Sequence, residues 1–178
     1  HWPELFRGRE IFLRIDTGKG HGHHEHVRTA GTHSKFGIPL FELEEARKLV
    51  AACGASVVGL HAHTGSGILT PQNWQDVGAR DFPQLRFLDL GGGLGVPEKS
   101  GQAGLDMQAV DAGIAEICAA EPRLEIWLEP GRYLVAEAGV LLATVTQVKG
   151  KGQMLYVGVS TGMNSLIRPA LYGAFHEI

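Results

Sequence analysis

The chain has 178 residues, 44% of them hydrophobic and 20% charged, which suits a globular protein with one sizeable core. A net charge of -3 supplies no basic surface for nucleic acid, and two cysteines make no disulfide framework. Glu137 interrupts the longest apolar run well short of a membrane span, so a reducing, cytoplasmic setting without a membrane partner is expected.

Taken in order, Glu10 to Ile15 reads as a first strand, and Asp16 to Ser34 as a polar loop rich in Gly and His. Its core, residues 21–26, lacks the spacing of a helical zinc pair, so a solvated loop with no metal is expected. Phe41 to Ala55 reads as an amphipathic helix, with Leu43, Ala46, Val50 and Cys53 on one face and Gly54 as its breaker. Ser56 to His63 is the next strand. Thr70-Pro71 then opens a helix that Pro83 keeps short. Leu85 to Leu90 is a third strand, running into Gly91-Gly92-Gly93-Leu94-Gly95. Asp106 to Ala120 is a second helix, with Met107, Val110, Ile114 and Ile117 on one face, and Leu124 to Leu128 is a fourth strand.

Strands alternating with helices predict βα units in a parallel sheet or barrel. After Arg132 the pattern changes. Val140 to Val148 and Met154 to Val159 are β-rich, with Lys149 to Gly152 as the turn of a hairpin. Residues 1–136 are therefore assigned to a β/α barrel portion and 137–178 to the start of a mainly β domain. Arg168 to Tyr172 leads to a short last strand. The chain starts without Met and stops just after that strand, so it is read as the central portion of a longer protein.

Three strand ends carry the chemistry. His61 and His63 share a face of their strand, and Thr64-Gly65-Ser66-Gly67 follows as a turn that suits a phosphate. Core histidines beside a tight turn would look the same. The glycine run at 91–95 is a second phosphate cradle, although it has neither P-loop nor dinucleotide spacing. Glu129-Pro130-Gly131-Arg132 places an acid and an arginine after the fourth strand, as an ordinary turn with a surface ion pair would also do. The C-terminal ends of parallel strands are where such folds do chemistry. Together they offer phosphate contacts, a stacking ring and an acid, which are the needs of a pyridine cofactor carrying a phosphate. A phosphosugar barrel enzyme would share the glycine loop but leave Glu129 and the histidine pair unexplained.

Five stretches in order extend this. Ser34 to Gly37, Gly59 to Ser66, Asp89 to Gly93, Glu129 to Arg132, and Gly162 through Tyr172 resemble the fold-III pyridoxal-phosphate decarboxylases. The likeness is greatest to the branch that converts meso-2,6-diaminoheptanedioate to L-lysine and CO2. The resemblance implies an alanine racemase-like β/α barrel followed by a mainly β domain, in a homodimer with shared active sites. It implies that His63 stacks on the cofactor ring and that Glu129 pairs with the pyridine nitrogen. Ser66, Gly91, Gly92, Gly93, Gly131 and Arg132 would serve the phosphate. Arg132, Arg168 and Tyr172 would take the far carboxylate end of the substrate. Decarboxylases of arginine, ornithine or carboxynorspermidine are the alternatives within the family, and a non-catalytic homologue is the alternative outside it. The His-rich loop resembles the decarboxylase half of proteins that also carry an aspartate kinase.

The sequence departs from the pattern in three places. The family's Schiff-base lysine lies upstream of anything matched here, and Lys35 belongs to another motif, so no catalytic residue is assigned. The stretch between Gly67 and Leu85 is short. Ser160-Thr161 stands where the family carries an aspartate-led pair.

Overall fold

The computed structural model describes residues 2–16, 35–63 and 84–178. The His-rich loop, Ser66 and the short helix expected after Pro71 lie outside the described residues. The chain forms two units: residues 1–96 with 104–133, and residues 97–103 with 134–178.

The first unit is a parallel sheet with helical connections. Its strands are β1 (Glu10–Asp16), β2 (Ile38–Pro39), β3 (Ser56–His61), β4 (Phe87–Asp89) and β5 (Glu125–Trp127), in the order β2-β1-β3-β4-β5. Apart from the two-residue β2, each strand pairs with the next in sequence, as in a β/α barrel wall. The helices are α1 (Leu43–Cys53) and α2 (Met107–Ala120).

Local sequence explains the helix ends. Asp106 caps α2, its side chain accepting hydrogen bonds from the N–H groups of Gln108 and Ala109 at 3.0 Å. Gly54 ends α1 with φ 71°, a left-handed conformation that favours glycine. The apolar face of α1 falls as expected, with Leu43 buried and Ala46, Val50 and Cys53 half-buried. In α2, Val110 and Gly113 carry the buried stripe, while Met107 at the first turn is exposed.

Between Ile11↔Val57 and Phe12↔Gly59 the β1/β3 register slips by one residue, with Val58 as the extra one. The slip restarts the alternation, so Val57 and Leu60 join one core with Leu13, Ile15, Leu88 and Leu90. Gly59 then lies under Phe12, where a Cβ would clash with the ring. Phe12, Phe87 and Trp127 stack over this bare strand, with centroids 5.0 to 5.6 Å apart. Arg14, His61 and Asp89 come next along the strands, in register with one another.

The second unit holds the antiparallel hairpin β6 (Val145–Lys151) and β7 (Met154–Val159). The first strand runs closer to the turn than expected, which moves the reversal to Gly152-Gln153, where Gly152 has φ 59°, while the second keeps its expected bounds. Residues 140–144 are not strand. The last strand expected after Arg168 is corrected. Arg168–Tyr172 is a helix, and residues 173–178 are neither helix nor strand. Pro169 in its first turn and Gly173 at φ 61° explain the helix and its end.

Among the described residues no helix is long and apolar enough to cross a membrane, and Cys53 and Cys118 are both unpaired thiols.

Candidate active site

The ends of β3, β4 and β5 converge. His61 closes β3 and His63 follows two residues later, their ring centroids 6.5 Å apart. Glu129 stands just past β5, and its own N–H donates to Gly91 O at 2.9 Å, which fixes its backbone. Its Oε2 lies 3.5 Å from His61 Nε2 and 3.9 Å from His63 Nδ1.

The glycine turn joins these strand ends. Asp89 is buried, and its Oδ1 accepts the Gly91 N–H at 2.9 Å. The Gly92 N–H donates to His63 Nδ1 at 3.2 Å. Gly91 has φ 69°, and a Cβ there would sit 2.5 Å from Ala62 O; one on Gly92 would fall on Glu129 O. Protein backbone therefore imposes glycine at both positions. Gly93 also takes a left-handed φ, 90°. Gly131 differs: a Cβ there would meet nothing within 4 Å among the described residues. It begins a short helix, α3 (Gly131–Val135), that carries the half-buried Arg132.

This arrangement suits a flat, phosphorylated heterocycle. It supplies an imidazole held by a backbone donor, a carboxylate beside it, and an open glycine next to an arginine. His61 Nε2 adds a buried polar atom, without a hydrogen-bond partner among the described residues, beside the Glu129 carboxylate. It suits a metal less well. The donor atoms of His61, His63 and Glu129 lie within 4.8 Å of one another, but the Nδ1 lone pair of His63 already accepts the Gly92 N–H. Among the described residues that leaves two donors, where catalytic zinc takes three from the protein.

The expected site residues divide into three groups. His63, Gly91, Gly92 and Glu129 come together, with Gly93, Gly131 and Arg132 next to them in the chain. Ser66 lies outside the described residues. Arg168 and Tyr172 lie in the second unit, on α4 (Arg168–Tyr172). There Arg168 donates to Glu98 Oε1 at 2.6 Å and lies 2.9 Å from His176 Nε2. Sequence reasoning missed Glu98 and His176, which carry no motif around them. It noted His61 and Asp89 but gave them no role, although their places at strand ends before glycines were the available signal. In the same unit the Ser160 hydroxyl accepts the Thr144 N–H at 3.0 Å, and Ser160 N–H donates to Thr144 O at 2.9 Å. The hydroxyl that replaces the family's acid is thus used to extend the hairpin.

A parallel β/α sheet with an acid, an imidazole and a glycine turn at its strand ends is the arrangement expected of a cofactor-binding β/α domain of the pyridoxal class. The comparisons agree. Residues 2–136 match the family model for the pyridoxal-dependent decarboxylase, pyridoxal binding domain, and the chain belongs to that family. It is 38% identical over 184 residues to the diaminopimelate decarboxylase of Escherichia coli strain K12, covering 96% of this chain and 43% of that protein. A crystal structure of diaminopimelate decarboxylase superposes with a TM-score of 0.84 at 34% identity, covering 98% of this chain and 44% of that one. The Helicobacter pylori enzyme complexed with L-lysine superposes at 0.80 with 28% identity, covering 97% and 45%. The chain thus spans less than half the length of these relatives.

Proposed function

We propose that the protein carrying this chain decarboxylates meso-2,6-diaminoheptanedioate to L-lysine and CO2, using pyridoxal 5'-phosphate. The observation that carries the proposal is the meeting of His63, Glu129 and the Gly91–Gly93 turn at adjacent strand ends, in a chain similar to named diaminopimelate decarboxylases. When bound, the cofactor withdraws the electron pair that departing CO2 leaves on the substrate.

The chain's own residues would prepare that chemistry. His63, held by Gly92 N–H, presents its ring for stacking. An ionised Glu129 favours a proton on a ring nitrogen beside it, because an opposite charge stabilises the protonated form. Gly91, Gly92 and Gly93 shape a phosphate turn, with Ser66, Gly131 and Arg132 as the other contacts. Gly92 spends its own N–H on His63, so its share in that turn is to hold the ring. By the family resemblance alone, Arg132, Arg168 and Tyr172 would take the far carboxylate, which needs a second cationic site. Glu98 and His176 would hold the Arg168 fork in place for it.

The attachment lysine would come from outside these 178 residues. The domain change near residues 136/137, a cytoplasmic location, a homodimer with shared active sites and a site without metal belong to the same proposal. They rest on the family resemblance and, for the domain change, on the family model ending at residue 136.

The test is a pyridoxal-phosphate absorbance titration of the full protein, followed by CO2 release from meso-diaminopimelate. A visible cofactor band with substrate-dependent CO2 supports the proposal. A band without CO2 points to another amino acid, such as arginine or ornithine. No band from folded protein points to a non-catalytic homologue.

A further inference from the structure

His61 is held by its strand, and its side chain is only 16% exposed. Among the described residues its buried Nε2 has no hydrogen-bond partner, a condition native folds seldom leave uncorrected. Beside it stands Glu129 Oε2 at 3.5 Å, slightly longer than a good N–H···O bond. The Glu129 side chain is 54% exposed, so it has room to rotate where His61 has not.

The other charged and titratable groups around His61 are differently engaged. On β1, Arg14 is in register with it and lies 4.7 Å over the Phe36 ring. On β4, Asp89 is in register with it and accepts the Gly91 N–H. Along its own strand, His63 accepts the Gly92 N–H at Nδ1. A small turn of the Glu129 carboxylate would therefore complete one bond and satisfy the buried nitrogen at the same time.

We propose that His61 is a positioning residue whose Nε2–H donates to Glu129 Oε2 and holds that carboxylate at the mouth of the site. One oxygen is thereby tethered and the other, Oε1, would remain available to a protonated ring nitrogen of the cofactor. A neutral imidazole carries a single N–H, so this role requires the Nε2–H tautomer, with Nδ1 unprotonated. The inference rests on the reading of Glu129 as the nitrogen's partner.

The test begins with the cofactor-free full protein, labelled with 15N-histidine and observed by NMR. The expected result is the Nε2–H tautomer at His61, with its Nε2 signal shifted by Glu129→Gln. An Nδ1–H tautomer, or a signal that Glu129→Gln leaves unmoved, overturns the proposal. Pyridoxal phosphate is then titrated into His61→Leu and His61→Gln. The leucine variant should bind about tenfold more weakly, the size of one hydrogen bond to a charged group, and glutamine, which puts an N–H near the same place, should restore most of the loss. Equal losses in both variants would mean packing alone and overturn the proposal. If the wild type takes up no pyridoxal phosphate, the functional reading fails, and the tautomer decides the hydrogen bond by itself.

Discussion

The backbone N–H of Gly92 donates to His63 Nδ1 at 3.2 Å, tying the end of one strand to the turn after the next. The bond assigns the His63 lone pair to Nδ1 and so its proton, in the neutral ring, to Nε2. It also makes the orientation of the ring depend on the path of the glycine turn.

Gly92→Ala is therefore expected to act on both stability and ligand binding. The added Cβ falls on Glu129 O, so the turn and the Glu129 backbone must separate. The expected cost is about 1–3 kcal/mol, the range for overpacking a tight interior. Urea denaturation of the full protein measures it, and a pyridoxal-phosphate titration should show weakened binding. An unchanged midpoint would mean that the turn relaxes freely.

Asp89 offers a cleaner separation of charge from hydrogen bonding. Its Oδ1 accepts the Gly91 N–H in buried surroundings. Asp89→Ala should cost about 1–3 kcal/mol by leaving that donor unpaired, whereas Asp89→Asn keeps an acceptor and should cost clearly less. Equal losses in thermal unfolding would show that the negative charge, and not the acceptor, matters.

The cap of α2 gives a prediction remote from the site. Asp106→Ala removes the acceptor of two N–H groups and should lower stability by about 1 kcal/mol, while Asp106→Asn should be nearly neutral. Chemical denaturation reads both, and pyridoxal-phosphate affinity should not move in either.

Glu129→Gln keeps the shape of the side chain and removes its charge. On the proposed function it should weaken cofactor binding by about tenfold, as loosening the carboxylate at His61 does, and lower kcat by clearly more than that, since the charge acts on the proton of the ring nitrogen. Steady-state kinetics beside a binding titration would decide it, and an unchanged kcat would remove Glu129 from that role.

Glu98→Gln tests the second unit. Arg168 donates to Glu98 Oε1 at 2.6 Å, so the acid fixes one arm of the guanidinium fork. Weakening that hold should raise KM for a dicarboxylate substrate by about tenfold and leave kcat nearly unchanged, as expected when a binding contact is loosened equally in ground and transition states. A fall in kcat at constant KM would place Arg168 elsewhere in the cycle.

Much of this protein was legible in its residues. Hydrophobic period distinguished the strands ending at His61, Asp89 and Trp127 from helices α1 and α2, and Asp106 and Gly54 marked helix ends, because caps and periodicity are local properties. The order of motifs carried the family resemblance. The last segment misled because residues 173–178 are too few for periodicity to establish a strand, while Pro169 and Gly173 marked the short helix before them. Tertiary structure alone decided why Gly91 and Gly92 must be glycine. Sequence offered a phosphate as the reason, but the atoms that exclude a Cβ are Ala62 O and Glu129 O, on strand ends far apart in the chain. It also decided that His61, given no role by any motif, points its buried nitrogen at Glu129. Neither fact could be read along the chain. A sequence shows which side chains share a strand face, whereas the distance between atoms on neighbouring strands is fixed only by sheet order and register, here including the one-residue slip at Val58.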